Sequence, residues 1–139
     1  MFSAEREKEM NWNRPSRGWA LPGLILAGAL AHAAPVVVDD RMPAGNVVVE
    51  DIAGDTVRVR PDLRDTEGDW FYWAFRVAGA AGRTLTFRFG GAYGGHVVGV
   101  RGPMVSTDRG RTWAYAAPGS FTSSSFTYTF APDAGEVWF

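Results

Sequence analysis

The segment Trp70–Ala78, WFYWAFRVA, constrains the fold of this chain more than any other part of it. Read at a period of two, Phe71, Trp73, Phe75 and Val77 fall on one side, and Trp70, Tyr72, Ala74, Arg76 and Ala78 on the other. A purely apolar face opposite a mixed one predicts a strand with one side in a core. Large inward rings need large apolar partners, and the sequence offers them at the same period. Thr84–Phe89 (TLTFRF) sets Leu85, Phe87 and Phe89 against Thr84, Thr86 and Arg88. Thr56–Arg60 (TVRVR) alternates valine with basic residues, and Phe126–Phe130 (FTYTF) alternates aromatics with threonine.

Shorter runs complete the pattern: Asn46–Glu50, Val97–Val100, Met104–Ser106, Arg111–Tyr115 and Glu136–Phe139. Turn residues separate them. Gly54 marks a turn across 51–55, and Pro61 ends a strand before a polar loop over 62–69. Gly79–Gly82 (GAAG) reads as a hairpin-like connection, Gly90–Gly95 (GGAYGG) as a loop, and Pro132–Gly135 as a turn. About eight strands, no helix after the leader and no internal repeat predict an all-β fold over residues 34–139, an antiparallel β-sandwich or a small barrel.

Residues 1–33 are expected to lie outside that fold. Arg14 and Arg17 precede an apolar run from Trp19 to Ala31, and Ala31-His32-Ala33 is a small-x-small site. This is the pattern of a signal peptide, with Met1 or Met10 as its start, and it predicts an exported, periplasmic or secreted protein. The run is too short for a stable membrane span, though an N-terminal anchor is compatible with it. Removing Arg6, Lys8, Arg14 and Arg17 with Glu5, Glu7 and Glu9 leaves ten basic and twelve acidic side chains, a net charge of −2. That balance argues against nucleic acid as a partner, because phosphate binding needs a basic stripe. The absence of cysteine removes thiol catalysis, disulfides and cysteine-based zinc sites.

No motif supplies catalysis. His96 is the one histidine after the leader, and neither H-x-x-E nor H-E-x-x-H occurs. Asp39/Asp40, Glu50/Asp51 and the Asp65-Glu67-Asp69 run are adjacent carboxylates, whereas acid–base pairs must face each other across a cleft. The last run also lacks the glutamate of a calcium loop. Gly90–Gly95 has no Lys-Ser/Thr for phosphate, and no G-x-S-x-G elbow is present. Trp70, Tyr72 and Trp73 could form a sugar-stacking platform, but their spacing fits core burial equally well. Ser106–Trp113 (STDRGRTW) fits S-x-D-x-G-x-T-W and resembles the Asp-box hairpin of sialidases. There Asp108 would accept bonds from turn amides, Gly110 would take a positive φ, and Trp113 would fold over the turn. In those families the box is structural, so the resemblance implies no glycosidase activity.

Four blocks in order carry a wider resemblance: Trp70–Phe89, Val98–Pro103 (VGVRGP), Ser106–Trp113 and Phe126–Val137 (FTYTFAPDAGEV). Together they resemble the N-terminal β-sandwich domain of zinc carboxypeptidases of the cytosolic-carboxypeptidase-like branch. The resemblance covers residues 46–139. It implies that Trp70, Tyr72, Phe75, Ser106, Asp108, Gly110 and Trp113 are structural positions. It also implies that zinc ligands and a catalytic glutamate belong to a further domain that this chain lacks. The expected role is therefore a non-catalytic accessory domain, with no catalytic, metal or cofactor-binding residue and no cofactor in this chain. Its expected partner is a metallopeptidase catalytic domain, or a second copy meeting it through an exposed C-terminal edge at Val137, Trp138 and Phe139. The alternative from the binding class is a secreted carbohydrate- or cell-surface-binding module.

Overall fold

Inward rings at period two close into two sheets that share one aromatic layer. A computed structural model describes residues 34–64, 72–90, 96–118 and 120–139 of the chain. The described residues form nine strands and no helix: β1 (Val37–Asp39), β2 (Val48–Ala53), β3 (Thr56–Arg60), β4 (Arg76–Ala78), β5 (Thr84–Phe89), β6 (Met104–Val105), β7 (Ala114–Tyr115), β8 (Ser125–Thr129) and β9 (Glu136–Trp138). One sheet has the order β1-β4-β9, a second β2-β3-β5-β8, and β6-β7 is a small hairpin.

The sandwich follows from which side chains each sheet turns inward. Val57, Val59, Leu85 and Phe87 have no exposed surface, and Phe126 is 1% exposed. From the other sheet come Val77, Val137 and, flanking the strands, Phe75 and Phe139. The rings cross the gap between sheets. Phe75 lies 5.2 Å from Phe87, and Phe139 lies 5.3 Å from Phe87 and 5.2 Å from Phe126. Each buried phenylalanine contributes about 1.5–3 kcal/mol relative to an exposed one.

The all-β sandwich expected from the sequence is therefore the observed class, with five local corrections. The pairing is mixed, because β3 and β5 run parallel while every other strand pair is antiparallel. The cause is the path of the chain. β4 joins the opposite sheet, so β5 returns to β3 after a crossover, which is the connection a parallel pair requires. For the same reason Gly79–Gly82 is a passage between sheets and not a hairpin. Within WFYWAFRVA only Arg76–Ala78 is regular strand, preceded by a bridge from Ala74 to Asn46. Its alternation holds in part among the described residues: Phe75 and Val77 are buried and Tyr72 is exposed, but Ala74 is buried too, under its bridge to Asn46. Val97–Val100 forms bends and a turn, although Val97 and Val98 are buried. Their burial comes from a loop packed on the core, and the Trp73 indole N–H donates to the Val97 carbonyl at 2.8 Å. β1, at Val37–Asp39, has no counterpart in the sequence reading.

Gly79 requires its residue type at this passage. Its φ is +71°, and a Cβ there would stand 2.3 Å from the Pro35 carbonyl oxygen. A side chain would thus combine left-handed backbone strain with a clash against the lead into β1.

Candidate functional site

The carboxylates and the histidine of the described residues do not converge. Among the described residues no three of His, Asp and Glu come together in a way that could hold a metal. His96 is exposed at the edge of a loop. Glu50 sits at the β2 bulge and pairs with Arg60 at 3.5 Å. Asp65, Glu67, Asp69 and Gly91–Gly95 lie outside the described residues, as do Trp70 and Phe71.

Asp39 belongs to an ion-pair network that the sequence did not reveal. Arg76 on the central strand β4 has Asp39 on β1 to one side and Glu136 on β9 to the other. Its Nε donates to Asp39 at 2.6 Å and its Nη1 to Glu136 at 2.7 Å. The register sets Asp39 directly opposite Arg76, and it sets Glu136 opposite Ala78, diagonal to Arg76 on the same face and within reach of its long side chain. All three side chains are about one-fifth exposed. The Arg76 guanidinium holds the Asp39 carboxyl well below the usual range. The Glu136 carboxyl is also lowered, first by the Trp138 indole N–H and then by Arg76. Every hydrogen-bonding arm is engaged, so the network clamps three strands together and offers no free base.

The Ser106–Trp113 segment is a closed hydrogen-bonded turn. Ser106, 1% exposed, donates to Asp108 at 2.8 Å and accepts from the Gly110 N–H at 2.8 Å. Asp108 accepts from the Thr112 N–H at 2.9 Å and its hydroxyl at 2.6 Å. These bonds, the Thr112 hydroxyl foremost, depress the Asp108 pKa to about 2. Gly110 has φ +81°, and the Trp113 indole N–H returns to the Gly110 carbonyl at 3.1 Å. The Asp108 oxygens are occupied by the turn itself, which leaves them a structural task.

The C-terminal residues expected at an exposed apolar edge are corrected by the structure. Val137 is 1% and Phe139 4% exposed, and Trp138 is half-buried. Phe139 belongs to the ring layer between the sheets, and its N–H and C=O both bond Phe75. The apolar surface lies beside them instead. A groove of about 500 Å³ runs past Phe139, walled by Tyr72, Trp73 and Ala74 on one side and by Gly102, Pro103 and Met104 on the other. Met42 and Trp113 also line it. Tyr72 is 45%, Met104 42% and Trp113 39% exposed. The polar tips of the aromatics are already used: the Tyr72 hydroxyl donates to the Ala44 carbonyl at 2.6 Å. The side chains of the groove therefore present apolar faces, with the polar tips of Tyr72, Trp73 and Trp113 turned to backbone carbonyls. Sequence reasoning missed it because its lining comes from segments far apart in the chain, though Pro103-Met104 beside a tight turn was a partial signal.

No protein-family model matches the sequence, and a search of curated proteins finds no relative. Solved structures do share the fold. A metallo-carboxypeptidase of Burkholderia cenocepacia superposes with a TM-score of 0.54 at 20% identity, over 75% of this chain and 28% of that one. A protein of Burkholderia mallei assigned as a carboxypeptidase superposes with a TM-score of 0.56 at 19% identity, over 75% of this chain and 27% of that one. The chain thus spans little more than a quarter of either structure, and at this identity the likeness shows the fold.

Proposed function

We propose that this chain is the non-catalytic β-sandwich accessory domain of a metallocarboxypeptidase-like protein. One observation carries the reading: three-quarters of the chain superposes on about a quarter of a bacterial metallo-carboxypeptidase, leaving most of that enzyme outside the match. Catalysis would then belong to the part that is not shared, together with its zinc. The closed Ser106–Trp113 turn and the Arg76 clamp support this division, since both spend their polar groups on holding the sandwich. The leader-like pattern of residues 1–33 supports a location outside the cytoplasm in this reading. A carbohydrate-binding role has less support among the described residues, because Trp73 packs its ring against Phe75, Phe89 and Phe126.

Reading the coding sequence through the Phe139 codon tests the proposal. An open frame continuing into a segment with H-x-x-E and a later histidine is the expected result. A stop codon, with no metallopeptidase encoded beside it, would remove the accessory-domain reading.

A further inference from the structure

The groove beside Phe139 has the geometry of an unfilled sheet position. β9 runs between two neighbours. On one side Phe75 and Phe139 exchange backbone bonds at 3.0 and 2.8 Å, and on the other Ser106 and Trp138 exchange theirs at 2.9 and 2.8 Å. Beyond Phe139 both neighbours continue, as residues 72–74 and 102–104, and these are the two walls of the groove. Antiparallel register then fixes the next rungs. Met104 stands opposite the first position past Phe139, and Trp73 opposite the second.

The backbone groups for those rungs are in place. Asn46 occupies the far side of one wall: its N–H donates to the Ala74 carbonyl and its side-chain amide to the Tyr72 carbonyl, each at 2.8 Å. Strand alternation turns the Trp73 N–H and C=O the other way, into the groove. Among the described residues no backbone hydrogen bond reaches them. On the opposite wall the Ala116 N–H donates to the Pro103 carbonyl at 2.9 Å, so Pro103 faces β7. Met104 therefore faces the groove, as Ser106 faces β9 two residues later. Open backbone donors and acceptors beside apolar surface are what an added strand satisfies.

We propose that polypeptide continuing directly from β9 past Phe139 enters this groove as an extended strand. It hydrogen-bonds Met104 on one side and Trp73 on the other, and it covers the exposed faces of Tyr72, Met104 and Trp113. This rests on the accessory-domain reading, in which a further domain follows. The continuing strand makes the junction rigid, because both of its edges are tied to the sandwich.

The test is amide hydrogen exchange by NMR on the 139-residue chain and on the same chain lengthened by the residues its coding sequence specifies after Phe139. The Trp73 and Met104 amides are expected to slow by about 100-fold or more on lengthening. The Thr86 amide, bonded to the Asp55 carbonyl in the other sheet, should not change. If the lengthened chain is insoluble, a Thr-Val-Thr-Val tail appended to Phe139 decides the matter by the same two amides. An open reading frame with Trp73 and Met104 exchanging as before overturns the strand inference alone. A stop codon after Phe139 overturns the named occupant, and with no metallopeptidase encoded beside it the accessory-domain reading falls as well.

Discussion

Phe139→Ala separates a terminal residue on the surface from one in the core. A surface substitution changes stability by less than about 0.5 kcal/mol. Phe139, however, is 4% exposed and has five rings around it: Phe75, Phe87, Phe126, Tyr128 and Phe130, with centroids 5.1 to 6.2 Å away. Removing a buried phenylalanine costs about 3–5 kcal/mol, from lost transfer energy and the cavity left behind. The open groove beside Phe139 lets the site relax partly, so the lower bound of about 3 kcal/mol applies. That is roughly a 140-fold change in the folding equilibrium. It corresponds to a drop in Tm of about 12 °C for a domain of this size. Urea unfolding followed by tryptophan fluorescence measures it. Phe139→Leu with Phe75→Leu in a double-mutant cycle isolates the ring pair, for which a coupling of about 0.5–1.5 kcal/mol is expected. A loss below about 1 kcal/mol for Phe139→Ala, with no coupling to Phe75, would refute the placement of this residue between the sheets.

Further outcomes follow from the same contacts. Ser106→Ala leaves the Gly110 N–H without its acceptor and should destabilise by about 1–3 kcal/mol in the same unfolding assay, with Ser106→Thr costing less if the hydroxyl is what matters. Gly79→Ala should cost about 1–3 kcal/mol, from its φ of +71° and the Pro35 carbonyl 2.3 Å from the new Cβ. Asp39 and Glu136 titrate below their usual values when folded, so their contribution is complete above about pH 4 and is lost as pH falls further. Thermal melts should accordingly be flat from pH 7 to about 5 and fall steeply below about 4, and Arg76→Gln should flatten that acid limb; an unchanged limb would show that Arg76 does not set it.

Much of the sandwich was legible because period-two alternation is a local property of the chain. Thr56–Arg60 and Thr84–Phe89 are strands with the bounds their alternation predicts, and their inward residues are the buried ones. Short-range turn chemistry was legible too: Ser106, Asp108, Gly110 and Thr112 meet within one turn, so their spacing contains their geometry. Val97–Val100 misled because two buried valines in a packed loop look, in sequence, like two valines in a strand.

What the sequence by itself determined is which side chains face inward and where the chain must turn. Both depend on residue type and on neighbours a few positions away. The tertiary structure alone decided which strands lie side by side. It set Asp39 and Glu136 against Arg76, ran β3 parallel to β5, drew Phe139 between the sheets and opened the groove between residues 72–74 and 102–104. Each of these depends on segments tens of residues apart, and backbone hydrogen bonding, which pairs strands, is indifferent to side-chain identity.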